Sequence, residues 1–119
     1  MFINYSYIGA PWTSNLNKKM VGNGGFSLRD PKVMIDVINT IDIYDFSRIY
    51  HNKDNKQLKP EDVYFANNII NFNLGTIPDK NIANKFSSEN IFDPECLGGH
   101  KIWNNNKNWK EFLEKKLII

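Results

Sequence analysis

The sequence has a single cysteine, Cys96. A disulfide framework is therefore excluded, as is any zinc site built on several thiolates; Cys96 reads as a small, semi-buried residue. Long apolar runs are missing too, and nothing approaches the length of a membrane span. The opening MFINYSYIGAPW lacks the basic start and long apolar stretch of a signal peptide. A soluble, intracellular protein is the default expectation, with a secretory compartment reachable through a partner. Charge of one sign is scarce: 15 basic and 13 acidic side chains leave a formal net charge of +2. So weak and mixed a balance gives no argument for nucleic acid as a partner. There is no internal repeat, no P-loop, no dinucleotide fingerprint and no catalytic thiol motif.

What is present fits one α/β domain over residues 1–119, long enough to bury a real core. The wealth of Asn, Ile and Lys reflects AT-rich codons, and fits a virus, a protist or a bacterium equally. The stretch that organises the chain is VGNGGFSLR, Val21–Arg29. Glycine is conformationally expensive, so Gly22, Gly24 and Gly25 need a reason. Either the backbone bends there on entering a strand, or something must come closer than a Cβ would allow.

Around it, Phe2 to Ile8 reads as a strand that Gly9-Ala10-Pro11 ends. A domain that opens directly in a core-like strand suggests a lost upstream segment. Trp12 follows, either a rim aromatic or a flat face for stacking a sugar or base. Thr13 to Met20 is a polar connection. Asp30 and Pro31 are the N-cap and first residue of a helix to about Thr40, with Val33, Met34, Val37, Ile38 and Ile41 as its apolar stripe. Ile43 to Lys59 reads as irregular, with a charged loop from His51, itself a solvated histidine. Pro60 suits the first position of the next helix. Its Glu61 and Asp62 either complement the helix dipole or supply a general base. Val63, Ala66, Ile69 and Ile70 form its buried face, and Gly75 is its expected stop. Asp79 caps a short helix through Phe86. Gly98-Gly99-His100 is a second glycine-flanked site, this time with an imidazole. Trp109, Phe112, Leu113 and Leu117 mark an amphipathic C-terminal helix.

With YIGAPW at 7–12, VGNGGFSLR at 21–29, PEDVYF at 60–65, ANKFSSEN at 83–90 and GGHKIW at 98–103 in this order, the chain resembles a domain family of unknown function. That family occurs in fungi, bacteria and giant viruses and looks like glycosyltransferases of the GT-A fold. The resemblance implies a mixed sheet with flanking helices, partial and GT-A-like, as in nucleotide-diphospho-sugar transferases. It implies an inverting, metal-dependent transfer from a nucleotide sugar to a sugar hydroxyl of a glycan acceptor. Asp62 would be the general base and Glu61 its neighbour. Gly24, Gly25, Asn23 and Trp12 would meet acceptor or donor, and His100 would bind the Mn²⁺ or Mg²⁺ that holds the diphosphate. The family's nucleotide-binding half, with its Asp-x-Asp motif, lies upstream of YIGAPW, and no two aspartates here have that spacing. The chain thus corresponds to the C-terminal, acceptor-side half. It could be completed by an upstream-encoded donor-binding half, or survive as a non-catalytic glycan- or protein-binding remnant.

Overall fold

The computed structural model describes residues 1–12, 21–50, 58–101 and 107–117. The polar connection at 13–20, the charged stretch 51–57 and the pair Ile102-Trp103 lie outside them. The architecture is mixed α/β, centred on an antiparallel pair, β1 (Tyr7–Pro11) and β2 (Val21–Arg29). Every residue of β1 is buried. Its side chains alternate between two cores, as strand geometry requires. Tyr7 enters one with Val33, Val37, Phe46, Tyr64 and Ile69, and Ile8 enters another with Ala83 and Phe86.

The strand expected from Phe2 instead begins at Tyr7, and Phe2–Asn4 forms a 3₁₀ turn. Opposite Tyr7 the partner strand has reached Arg29, and Pro31 already opens a helix. No β2 backbone remains to pair with residues 2–5. At Ser6 the pairing ends: its carbonyl still accepts from Asp30 N, just past β2, while its N–H donates elsewhere, to Thr76 O at 2.8 Å. At the other end the strand runs on through Pro11, a position a proline tolerates where pairing stops.

Helix α1 (Pro31–Thr40) starts as its sequence dictates. Asp30 accepts from Lys32 N, and Pro31 fills a first-turn position whose N–H would have no partner. Val33 and Val37 are buried and Met34 and Ile41 half-buried, but Ile38 is 57% exposed, so the stripe is narrower than its spacing predicts. The stretch expected to be irregular contains helix α2 (Ile43–Tyr50). Asp42 caps it, accepting from Tyr44 N at 2.8 Å, and Phe46 anchors it in the first core. Helix α3 (Glu61–Asn71) has Pro60 at its N-cap rather than inside its first turn. It stops before Gly75: Asn73 adopts φ 51° and Leu74 N donates to Ile69 O, closing the end with an asparagine in the left-handed region. Helix α4 (Lys80–Phe86) is capped by Asp79 through Ile82 N. It runs into β3 (Ser87–Ser88), which pairs in parallel with β4 (Gly98–Gly99). Helix α5 (Lys107–Leu117) joins Trp109 and Phe112 to Phe92, with ring centroids 5.0 and 5.9 Å away. Among the described residues no helix is long and apolar enough to cross a membrane.

Candidate functional site

The site is built on an irregularity of the β1–β2 pair. Gly9 lies opposite Ser27, but the next residue, Ala10, lies opposite Asn23. Gly24, Gly25 and Phe26 therefore have no partner across the ladder and bulge from it. Bulges re-aim a strand locally, and proteins use them beside functional sites. Gly22, next to the bulge, has φ +131°, which a side chain would strain.

Two separate elements meet this bulge, the start of α3 and, further on, the β3–β4 pair. The start of α3 brings Asp62, whose Oδ2 accepts from Gly24 N at 3.2 Å while Oδ1 accepts from its neighbour Val63 N at 2.8 Å. A carboxylate has about four acceptor positions, so lone pairs remain on both oxygens. Glu61 turns the other way and forms a fork with Arg29 at the end of β2, at 2.5 and 3.0 Å. Burial alone would lower the Arg29 pKa, but the Glu61 hydrogen bond and the surrounding negative charge raise it above its ordinary value. The Arg29 guanidinium also lies 4.8 Å from the centre of the Tyr7 ring. Burial pushes the Tyr7 hydroxyl well above its ordinary range, partly offset by Arg29, and that hydroxyl donates to Gly22 O at 2.5 Å. A cavity of about 240 Å³ opens beside Glu61, lined by Ile38, Asp42, Ile43, Tyr64 and Phe65.

The second element is the β3–β4 pair. His100 N donates to Ser88 O at 3.2 Å, continuing that ladder and setting the imidazole against the bulge. The His100 side chain faces Glu89, with Nδ1 3.5 Å from Oε1, and Glu89 in turn accepts from Asn23 Nδ2.

Asn23, Gly24, Gly25, Glu61, Asp62 and His100, scattered over the sequence, are thus brought together. Trp12 is half-buried just past β1, beyond Pro11, which lies opposite Val21. The space a Cβ would need is occupied by the chain's own side chains. At Gly24 it holds Arg29 Nη2 and Glu61 Oε1, 2.6 and 2.8 Å away, and at Gly25 the His100 ring, 2.2 Å away. Sequence reasoning missed Arg29 and Glu89. Both stand inside the quoted segments, VGNGGFSLR and ANKFSSEN, but a charged residue in a polar stretch gives no sign of which partner it will meet.

As a cation site, His100 and Glu89 offer one imidazole nitrogen and one carboxylate. Among the described residues no three His, Cys, Asp or Glu side chains gather as a metal would need. The pair fits part of the shell of Mn²⁺ or Mg²⁺, which favour oxygen donors, and the rest would come from outside this group.

The fold and site thus define a mixed α/β protein with an acidic helix start and an imidazole converging on a glycine bulge. Residues 1–100 match the model of a protein family of unknown function, DUF5672, and the chain belongs to that family. No curated protein and no solved structure matches it.

Proposed function

We propose that this chain is the acceptor-side half of a GT-A-like glycosyltransferase, an inverting enzyme that transfers a hexose from a nucleotide sugar to a sugar hydroxyl. The observation that carries the reading is the meeting of Asp62 with the glycine bulge, through Gly24 N and Asp62 Oδ2 at 3.2 Å. An attacking hydroxyl needs a carboxylate within hydrogen-bond reach to take its proton. Both carboxylates keep lone pairs, but Glu61 is held in a fork by the charged Arg29 guanidinium, whereas Asp62 accepts only from the backbone N–H groups of Gly24 and Val63. On this reading Asn23, Gly24, Gly25 and Trp12 would meet acceptor or donor. A bound divalent cation would neutralise the departing diphosphate. His100, with Glu89 beside it, would hold part of its shell. A donor-binding half carrying Asp-x-Asp, encoded upstream, would supply the rest.

A second reading has its own observation. Asp62 and Glu61 both spend hydrogen bonds tying α3 to β2, which suits a non-catalytic remnant that binds a glycan or a protein. Nucleoside diphosphate release separates the two. The chain is assayed with nucleotide sugars and Mn²⁺, alone and with the product of the adjacent upstream reading frame. For a base at Asp62, Asp62→Asn lowers kcat by about 10²–10⁴ with the melting temperature nearly intact, and Glu61→Gln spares turnover. Equal, small kinetic changes in the two variants, or no release from any combination, would refute the assignment.

A further inference from the structure

The segment 83–90 carries four buried polar side chains, Asn84, Ser87, Ser88 and Glu89. Ser88 Oγ is explained locally, since it bonds Asn84 O at 3.3 Å and Oδ1 at 3.2 Å. Glu89 is different. It is a carboxylate with 8% of its surface exposed, and burying a carboxylate is costly unless it is partnered. Among the groups that face it are the side-chain amide of Asn23 and Nδ1 of His100.

The imidazole is held from several sides. Its main chain is tied to Ser88 O. One face of the ring lies on Gly25, where a Cβ would stand within 2.6 Å of Cγ, Cδ2 and Nδ1. Among the described residues the buried Nδ1 has no hydrogen-bond partner, although the side chain as a whole keeps 32% of its surface exposed. Nε2, unlike Nδ1, is not a buried atom without a partner, and the exposed part of the ring includes it.

We propose that Glu89 is a positioning residue for His100. It keeps the imidazole proton on Nδ1, so that an unprotonated Nε2 faces outward beside the glycine bulge as a binding point for a ligand hydroxyl. A neutral imidazole has one N–H and one lone pair, and the group facing one nitrogen decides which is which. A lone pair on Nδ1 would oppose the carboxylate lone pairs in a poorly solvated place. A proton there faces an acceptor, and an approach of about 0.6 Å makes an ordinary charge-assisted hydrogen bond. Asn23 steadies the carboxylate from the other side. Where no cation occupies it, the outward Nε2 lone pair accepts from an O–H or N–H group, so the ligand it suits is a sugar or other polyol. The assignment stands or falls independently of the transferase reading.

The test is the tautomer of His100, read by long-range ¹H–¹⁵N correlation on the ¹⁵N-labelled chain at about pH 8.5, where free imidazole is neutral. His51→Gln assigns the signals, because the sequence has only two histidines. The expected result is a protonated Nδ1 and an unprotonated Nε2. Protonation at Nε2 in the wild type overturns the proposal, and that measurement needs no variant at the site. Glu89→Ala should move the proton to Nε2, the form unconstrained histidine favours. Glu89→Gln, of the same size and uncharged, should shift it part of the way with the fold kept. A tautomer indifferent to both substitutions also overturns the role of Glu89.

Discussion

Adding one methyl group at Gly25 should cost more than adding the same group at its neighbour Gly24, for reasons that can be worked out atom by atom. A Cβ on Gly25 would lie 2.2 Å from His100 Cδ2, 2.3 Å from Cγ and 2.6 Å from Nδ1. Ordinary carbon contacts are about 3.5–4.0 Å, so the ring must retreat by about 1.5 Å. Cγ is bonded directly to the His100 Cβ and cannot swing away alone. Overpacking of this kind costs about 1–3 kcal/mol, against a gain of about 0.4–1 kcal/mol from a less flexible unfolded chain. A net loss of about 1–2 kcal/mol lowers Tm by roughly 3–10 °C in a domain of this size. At Gly24 the obstacles are Arg29 Nη2 at 2.6 Å and Glu61 Oε1 at 2.8 Å, the far ends of flexible side chains. They can move, at the expense of a partly exposed ion pair worth about 0–1 kcal/mol. The assay is a thermal and urea denaturation series on Gly25→Ala, Gly24→Ala, His100→Ala and the double variant Gly25→Ala/His100→Ala. Removing the ring should relieve the methyl group, giving a coupling of about 0.5–3 kcal/mol in the cycle. Additivity within about 0.5 kcal/mol, or a Gly24→Ala variant less stable than Gly25→Ala, would refute the packing described here.

Gly9→Ala should prevent folding or destabilise the hairpin severely, since its Cβ would stand 2.4 Å from the main-chain oxygen of Asn23; a cooperative transition near the wild-type Tm would contradict the register. Tyr7 gives the protein an alkaline limit. Its raised pKa means that its stabilisation is complete below about pH 10 and declines above it, where the unfolded chain gives up a proton that the folded chain retains. Stability measured from pH 8 to 11.5 should fall at the top of that range. Tyr7→Phe should flatten part of this fall while costing about 1–3 kcal/mol at neutral pH, because Gly22 O loses its donor. If turnover is found, chelation should abolish it and Mn²⁺ should restore it; activity indifferent to chelator removes His100 from any metal role.

The local elements were legible because their causes are local. Asp30-Pro31 and Asp79 start α1 and α4 by caps that reach only two or three residues along the chain. The apolar spacing of α3 and α5 likewise names part of what they bury, Ala66, Ile69 and Trp109, although Val63 and Ile70 are only half-buried and the buried Tyr64 and Asn68 fall outside it. The same logic was available for α2, where Asp42 caps a turn carrying Phe46, but that helix has only eight residues and runs straight into the charged stretch from His51. The first residues misled for the opposite reason. Phe2 to Tyr5 have the composition of a strand, yet a strand needs backbone alongside it, and β2 has turned into α1 before reaching them.

By itself, then, the sequence determined where most helices begin, part of what they bury, and that Gly24, Gly25, Glu61, Asp62 and His100 were the residues to watch. Tertiary structure alone decided that the β1–β2 pairing skips Gly24 to Phe26, and that the bulge so made meets Asp62 on one side and His100 on the other. It also decided that Glu89, written in a polar stretch, is buried against Asn23 across 66 residues of chain. Caps and periodicity act within a turn or two of helix. The burial of a charge depends on which distant groups the completed fold sets against it.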